Sequence, residues 1–126
     1  MDARSTDPAQ TAQALPFAPG LHLLVDLREC RGLRDAEGIG RVLREAAAAC
    51  DATVLDVMLH NFGESGGITG VALLAESHIS IHTWPETSYA AIDIFMCGSC
   101  DPRRALPVLD KWFSPGGTRI TEYQRG

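Results

Sequence analysis

Several features that mark other classes of protein are missing from this chain of 126 residues. No apolar run approaches the roughly 20 residues of a membrane-spanning helix, and residues 1–20 lack the basic start and apolar stretch of a secretory signal. Lys and Arg number 11 against 16 Asp and Glu, a formal net charge of -5, so there is no basic excess to neutralise phosphates. We therefore expect neither nucleic acid nor membrane among its partners.

Cysteines are also too few for a disulfide scaffold. The four of them, Cys30, Cys50, Cys97 and Cys100, indicate reduced thiols in a cytoplasmic protein. Hydrophobic residues make up 45% and charged residues 21%, an ordinary globular mixture, and this length fits a single domain. We expect a flexible tail over residues 1–19 and one domain over residues 20–126.

Short apolar runs of strand length alternate with two helical patterns. The predicted strands cover residues 21–27, 53–59, 71–75, 78–83, 89–96 and 118–123. One helix is predicted over residues 36–50 with Asp35 as its N-cap, and a second opens at Asp101 and Pro102. Adjacent strands with two separate helices indicate an α+β fold, a two-layer sandwich whose antiparallel sheet carries two helices on one face.

Nearly all the chemically reactive side chains fall between His60 and Cys100, a segment that holds three of the four histidines and two cysteines. It also contains a glycine-dense loop over residues 62–67, of a kind that often borders sites. Glu76 and Ser77 stand next to each other at a strand end. Alone, that dipeptide is most often a solvated turn.

The wider segment changes this interpretation. LLAESHISIHTWPE at residues 73–86, followed by YAAIDIFMCG at residues 89–98, closely resembles the S-adenosylmethionine decarboxylase proenzyme family of bacteria and archaea, with weaker similarity from about Gly20 to the end. The resemblance implies self-cleavage between Glu76 and Ser77, whose serine becomes a pyruvoyl group. It further implies a carboxy-lyase that converts S-adenosylmethionine to the aminopropyl donor for spermidine biosynthesis, without a metal or pyridoxal phosphate.

This chemistry explains why a serine is needed. Its hydroxyl attacks the preceding carbonyl, the resulting ester eliminates, and the dehydroalanine hydrolyses to a ketone, a sequence open only to a β-hydroxyl or thiol. The ketone condenses with the substrate amine as a Schiff base, which accepts the electrons released when carbon dioxide leaves, as pyridoxal phosphate does elsewhere.

The resemblance also assigns roles to three residues that do the chemistry. His82 corresponds to the processing base, a role suited to imidazole because it titrates near neutral pH. Thr69 stands where the family usually has a serine whose hydroxyl assists processing. Cys97 corresponds to the acid that returns a proton to the substrate α-carbon.

Three further residues correspond to substrate-binding positions. Glu86 matches a carboxylate that holds the ribose hydroxyls, Phe62 falls near the aromatic that stacks on adenine, and Glu29 belongs to the weaker match near the start. Their ordinary structural interpretations are surface charges and a core aromatic. His60 and His78 are interpreted as structural histidines.

Several alternatives concern the chemistry and the substrate. Cys97 and Cys100 form a C-x-x-C pair, which could indicate redox chemistry or half of a zinc site, although one pair is weak evidence. Arg28 stands where the family commonly has an aromatic, and the loop from Phe62 to Thr69 is longer and richer in glycine. Because both departures fall on purine contacts, a pyruvoyl-dependent ornithine or arginine decarboxylase stays open. An unprocessed, non-catalytic binding paralogue is a further alternative, against which the intact Ser77, His82 and Cys97 argue.

The spacing of Ser77 and His82 predicts an assembly. They are five residues apart, so an extended strand separates them by ~16 Å and places them on opposite faces. No Gly or Pro between them could bend the strand. We therefore expect a homodimer with shared active sites, each combining Ser77 and Cys97 of one chain with Thr69, His82, Glu86 and Phe62 of the other.

Overall fold

The computed structural model describes residues 20–126, and the tail predicted over residues 1–19 lies outside the described residues. The strands are β1 (Gly20–Arg28), β2 (Val54–Asn61), β3 (Ile68–Leu74), β4 (Ser77–Trp84), β5 (Tyr89–Met96) and β6 (Gly117–Arg125). The helices are α1 (Ala36–Ala49) and α2 (Leu106–Phe113), and 3₁₀ turns cover Pro85–Thr87 and Pro102–Ala105. No helix in residues 20–126 is both long and apolar enough to cross a membrane.

The strands form one antiparallel sheet in the order β2-β3-β4-β5-β1-β6. Strand β1, the first in sequence, lies between β5 and β6, which come last. Both helices contribute their buried side chains to a single core on one face of the sheet. The predicted α+β sandwich is therefore confirmed.

Helix α1 begins where the sequence predicts, because Oδ1 of Asp35 accepts the Gly38 N–H at 2.9 Å. The second helix differs from the prediction. Asp101 caps only a 3₁₀ turn, and the α-helix starts at Leu106. Pro107 explains the shift, since it has no N–H for the carbonyl of Arg103 and its ring would clash with that carbonyl in a continuous helix.

Strand β3 also differs, because it begins at Ile68, three residues before the predicted start at Val71. Gly70 interrupts the apolar pattern in the sequence, which weakens the strand signal. In the structure Gly70 pairs with Ile81 of β4, and a Cβ at Gly70 would overlap the Leu59 side chain of β2. Glycine thus allows Leu59 to cover the strand.

Side chains alternate between two very different faces of the sheet. One face packs on the helices, and its fully buried members include Leu23, Ile79, Ile81 and Ile94. We call the other the open face, because in residues 20–126 no helix covers it. Its exposed large apolar side chains are Leu24, Met58, Leu73, Trp84 and Tyr123.

Candidate active site

Ser77 and Cys97 meet at one end of the sheet, where β4 begins and β5 has just ended. The backbone N–H of Cys97 donates to Oγ of Ser77 at 3.1 Å. The Cys97 thiol donates to the carbonyl oxygen of Glu76 at 2.7 Å. This carbonyl belongs to the peptide bond joining Glu76 to Ser77, so one residue contacts both sides of the predicted cleavage point.

The backbone at this point is strained. Glu76 lies in the tight turn between β3 and β4 with φ of 63°, in the left-handed region that costs a residue with a Cβ roughly 1–2 kcal/mol. The register pairs Leu74 with Ser77, which holds the turn at two residues. Breaking the bond after Glu76 would release this strain.

His82 and Thr69 meet at the opposite end of the sheet. They pair across β3 and β4, and Oγ1 of Thr69 lies 3.2 Å from Nδ1 of His82, a hydrogen-bonding distance. Both side chains lie on the open face, because they alternate with the buried Ile68, Ile81 and Thr83. The predicted processing hydroxyl and base are therefore partners.

An open cleft of about 430 Å³ surrounds this pair. Its lining comprises the loop before β3 and the end of β4: Phe62, Ser65, Gly66, Gly67, Ile68, Thr69, His82, Thr83, Trp84 and Glu86. The Phe62 side chain is 63% exposed, so its ring is available for stacking. A Cβ at Gly67 would overlap the Thr83 carbonyl, which explains the glycine where the loop returns to the sheet.

Glu29 and Arg28 lie beyond this lining. Glu29 follows β1 with φ of 57°, and its side chain rests against Gly116. The Arg28 guanidinium lies 4.6 Å from the centre of the Tyr89 ring, and Tyr89 stacks on Trp84 at 5.2 Å. Arg28 thus stacks on a side chain of its own sheet.

The two residue groups are not brought together within one chain. Ser77 and Cys97 lie at the start of β4 and the end of β5, whereas Thr69 and His82 lie at the start of β3 and near the end of β4. Strand β4 has no interruption between Ser77 and Trp84. Ser77 shares the alternation of buried Ile79 and Ile81, so its side chain faces away from that of His82.

A third cluster, on the open face, escaped the sequence interpretation. His22 donates from Nε2 to Oδ1 of Asp93, and Nε2 of His78 lies 3.7 Å from the same oxygen. Arg125 donates to Nδ1 of His22 at 3.1 Å. The pairing of β1 with β5 brings together His22 and Asp93, which are 71 positions apart in the sequence. The alternation of polar residues along each strand is the one sequence signal that points to this cluster.

The remaining thiols have separate surroundings. Burial raises the pKa of Cys50 to about 11 and also raises the pKa of Cys30. Sγ of Cys100 lies 3.7 Å from the Asp51 carbonyl, whereas Cys97 contacts Glu76. The two members of the C-x-x-C pair thus have different partners.

A two-layer sandwich with a serine and a thiol gathered at the peptide bond after a left-handed residue is the arrangement expected of a self-processing proenzyme. The family model described as S-adenosylmethionine decarboxylase matches residues 21–126, and the chain belongs to that family.

Relatives and a solved structure agree with this assignment. The S-adenosylmethionine decarboxylase proenzyme of Methanococcus maripaludis is 44% identical over 110 residues, 85% of this chain and 89% of the relative. That of Thermomicrobium roseum is 39% identical over 108 residues, 85% of this chain and 93% of the relative. The crystal structure of the adenosylmethionine decarboxylase from Aquifex aeolicus is 33% identical, with a TM-score of 0.77 over 87% of this chain and 92% of that one.

Proposed function

We propose that this chain decarboxylates S-adenosylmethionine to the aminopropyl donor for spermidine biosynthesis, through a pyruvoyl group that it makes from Ser77. Cleavage between Glu76 and Ser77 would leave fragments 1–76 and 77–126. The observation that carries the proposal is the position of Cys97, hydrogen-bonded to both Ser77 and the Glu76 carbonyl. The relatives at 39% and 44% identity, both S-adenosylmethionine decarboxylase proenzymes, support this substrate.

Processing requires only groups of the chain and one water molecule. Oγ of Ser77 adds to the carbonyl carbon of Glu76, the peptide C–N bond breaks, and an ester and a free α-amine form. A base then removes the Ser77 α-proton, and the C–O bond breaks so that Glu76 leaves as a carboxylate. The resulting dehydroalanine adds water and releases ammonia, which leaves the ketone. His82 is the proposed base, with Thr69 as its hydrogen-bonding partner.

Three features favour the first step. The Cys97 thiol donates to the Glu76 carbonyl and would stabilise negative charge developing on that oxygen. The left-handed backbone of Glu76 raises the energy of the uncleaved chain relative to the relaxed ester. The Cys97 N–H also fixes the position of the Ser77 oxygen.

The same residues suit turnover. The pyruvoyl ketone supplies the electron acceptor for the departure of carbon dioxide. Departure of the Glu76 carboxyl end would free the Cys97 thiol beside the new chain end. The thiol is then placed to return a proton to the substrate α-carbon, the role proposed for Cys97. Glu86 would accept hydrogen bonds from the ribose hydroxyls, and Phe62 would stack on adenine. Glu29 is a third proposed substrate contact.

We further propose that two chains share each site. The serine and thiol lie at one end of the sheet, and the hydroxyl and imidazole at the other. The two open faces would pack against each other about a two-fold axis that lies between them, parallel to the sheets and perpendicular to the strands. This axis would place the Ser77 end of one chain over the His82 end of its partner. Because Ser77 is the first residue of β4, side chains of the partner need to extend only around the end of the sheet, and not through it, to reach Ser77.

The exposed apolar side chains of the open face support a second copy as its occupant. Met58 and Leu73 lie on the neighbouring strands β2 and β3 and are 58% and 45% exposed, and contiguous exposed apolar surface typically marks an interaction site. A two-fold contact is self-complementary, so each chain would supply the residues that the other chain's site lacks. Helices would then form the outer layers and the two sheets the inner ones.

A substrate comparison tests the proposed function. Purified wild-type protein is incubated separately with carboxyl-labelled S-adenosylmethionine, ornithine and arginine, and released carbon dioxide is counted, with Ser77→Ala as the inactive control. We expect release from S-adenosylmethionine alone. Release from ornithine or arginine instead would move the substrate assignment to an amino acid. A stable uncleaved chain without activity would favour the binding paralogue.

A further inference from the structure

We propose that His78, held by Asp93 and His22, is a positioning residue that orients the chain end carrying the pyruvoyl group. This inference rests on the proposed function, because it concerns the chain end that cleavage creates. The backbone nitrogen of His78 is the amide nitrogen to which that group would be attached. The first side chain able to hold the new end is therefore that of His78.

His78 is held on the open face by the Asp93 carboxylate and by ring packing. Its Nε2 lies 3.7 Å from Oδ1 of Asp93, within ion-pair range when the ring is protonated. The His22 ring meets it edge-on at 6.2 Å between centroids, and the Phe95 ring lies at 5.9 Å. Since Arg125 can only donate, Nδ1 of His22 accepts and its Nε2–H points at Asp93.

In the precursor, strand β5 holds this segment from both faces. Asp93 and Phe95 contact His78 on the open face, and Cys97, two residues further on, donates its N–H to Ser77 on the helix face. Cleavage removes the covalent turn that fixes Ser77, and it also removes the Ser77 Oγ, which leaves with Glu76, so the bond from the Cys97 N–H is lost while the His78 contacts stay. Chain ends fray unless they are tied down. Fixing the His78 side chain restricts rotation of the strand end and keeps the ketone beside the Cys97 thiol.

The same three side chains have ligand atoms close enough to hold a metal ion, but the hydrogen bonding favours the positioning role. A neutral His22 that binds a metal through Nε2 must carry its proton on Nδ1. The Arg125 donor already faces Nδ1, so metal binding requires Arg125 to move or His22 to lose both protons.

The test measures turnover per active site in His78→Ala, with Asp93→Asn and His22→Gln as milder variants should the first fail to fold. Thr121→Ala, on β6, is the control. Phenylhydrazine titration counts ketone groups, and kcat is expressed per ketone. We expect kcat per ketone to fall tenfold or more in His78→Ala and several-fold in the milder variants, with KM changed less than twofold and the control unaffected.

The alternative outcomes are distinct. Absence of ketone from the wild type contradicts the proposed function itself. If kcat per ketone is normal in all three variants, the positioning role is wrong. This holds even if the variants contain less ketone than the wild type. Activity lost on chelation and restored by Zn²⁺ overturns it in favour of a metal site.

Discussion

Ser77 and His82 lie on opposite faces of one uninterrupted strand. The proposed nucleophile and its proposed base therefore cannot belong to the same site unless a second chain supplies one of them. His82 instead pairs with Thr69 on the open face, and Ser77 pairs with Cys97 on the helix side.

Complementation tests this arrangement. Ser77→Ala and His82→Ala should each process poorly alone, the first because it lacks the nucleophile and the second because it lacks the base. When both are coexpressed with different tags, the His82→Ala chain of the mixed dimer should be cleaved with its partner's histidine. The measurement is gel mobility of each tagged chain after isolation of the doubly tagged species. An uncleaved His82→Ala chain in verified mixed dimers would place the site within one chain.

Self-cleavage itself predicts two fragments. Intact-mass analysis of the wild type should find residues 1–76 and 77–126, with the second blocked to Edman sequencing by its pyruvoyl cap. Ser77→Ala should remain one chain, whereas Ser80→Ala, on the same strand, should be cleaved. Full-length wild type with undiminished decarboxylase activity would contradict the role of Ser77.

Cys97→Ala should separate processing from turnover. Processing should slow less than about tenfold, because a thiol is a weak hydrogen-bond donor and the Cys97 backbone N–H to Ser77 is retained. Turnover per pyruvoyl group should fall at least a hundredfold through loss of the proton donor. Cys100→Ala is the matched control and should be mild. If both variants fail together, or if activity follows bound zinc, the C-x-x-C interpretation is correct.

Relief of strain at Glu76 predicts a slower first step. Glu76→Gly adopts the observed φ of 63° without the Cβ penalty, which lowers the energy of the precursor by about 1 kcal/mol. If the transition state has already lost that strain, cleavage should slow about fivefold. Glu76→Ala keeps the Cβ and should be cleaved at nearly the wild-type rate. The time course of cleavage in a freshly translated precursor measures both, and acceleration by glycine would argue against stored strain.

The buried thiol predicts a pattern of alkylation. With a pKa of about 11, Cys50 is only about 0.1% thiolate at pH 8, and the thiolate is the reactive form. Brief iodoacetamide treatment followed by peptide mass mapping should leave Cys50 unmodified in the folded protein. Raising the pH towards 11 should increase its modification. Rapid labelling at pH 8 would contradict the burial of this side chain.

Much of the fold follows from local patterns in the sequence. The alternation through Ile92 and Ile94 predicts β5, and Asp35 predicts the start of α1. The local pattern does not reveal the early start of β3, because Gly70 has no side chain and the neighbouring Leu59 fills the space beside it. The N-cap signal does not give the late start of α2, because Asp101 caps only the 3₁₀ turn and Pro107 delays the α-helix to Leu106.

The site was predicted unevenly for a related reason. Ser77 and Cys97 stand in a recognisable motif, and the structure places them in contact. His22 and Asp93 come together only through the pairing of β1 with β5, and alternation within a strand does not specify its neighbour. The sequence therefore indicated the reacting groups better than the residues that position them.

The position of β1 determines what cleavage does to the sheet. The proposed cleavage would assign β1 to β3 to the first fragment and β4 to β6 to the second, yet β1 lies between β5 and β6. The fragments are thus interleaved. Neither fragment can dissociate without breaking the hydrogen bonds of β1 with β5 and β6 and those between β3 and β4. Once fully unfolded, however, the halves must find each other again, so refolding of the cleaved protein becomes a second-order process.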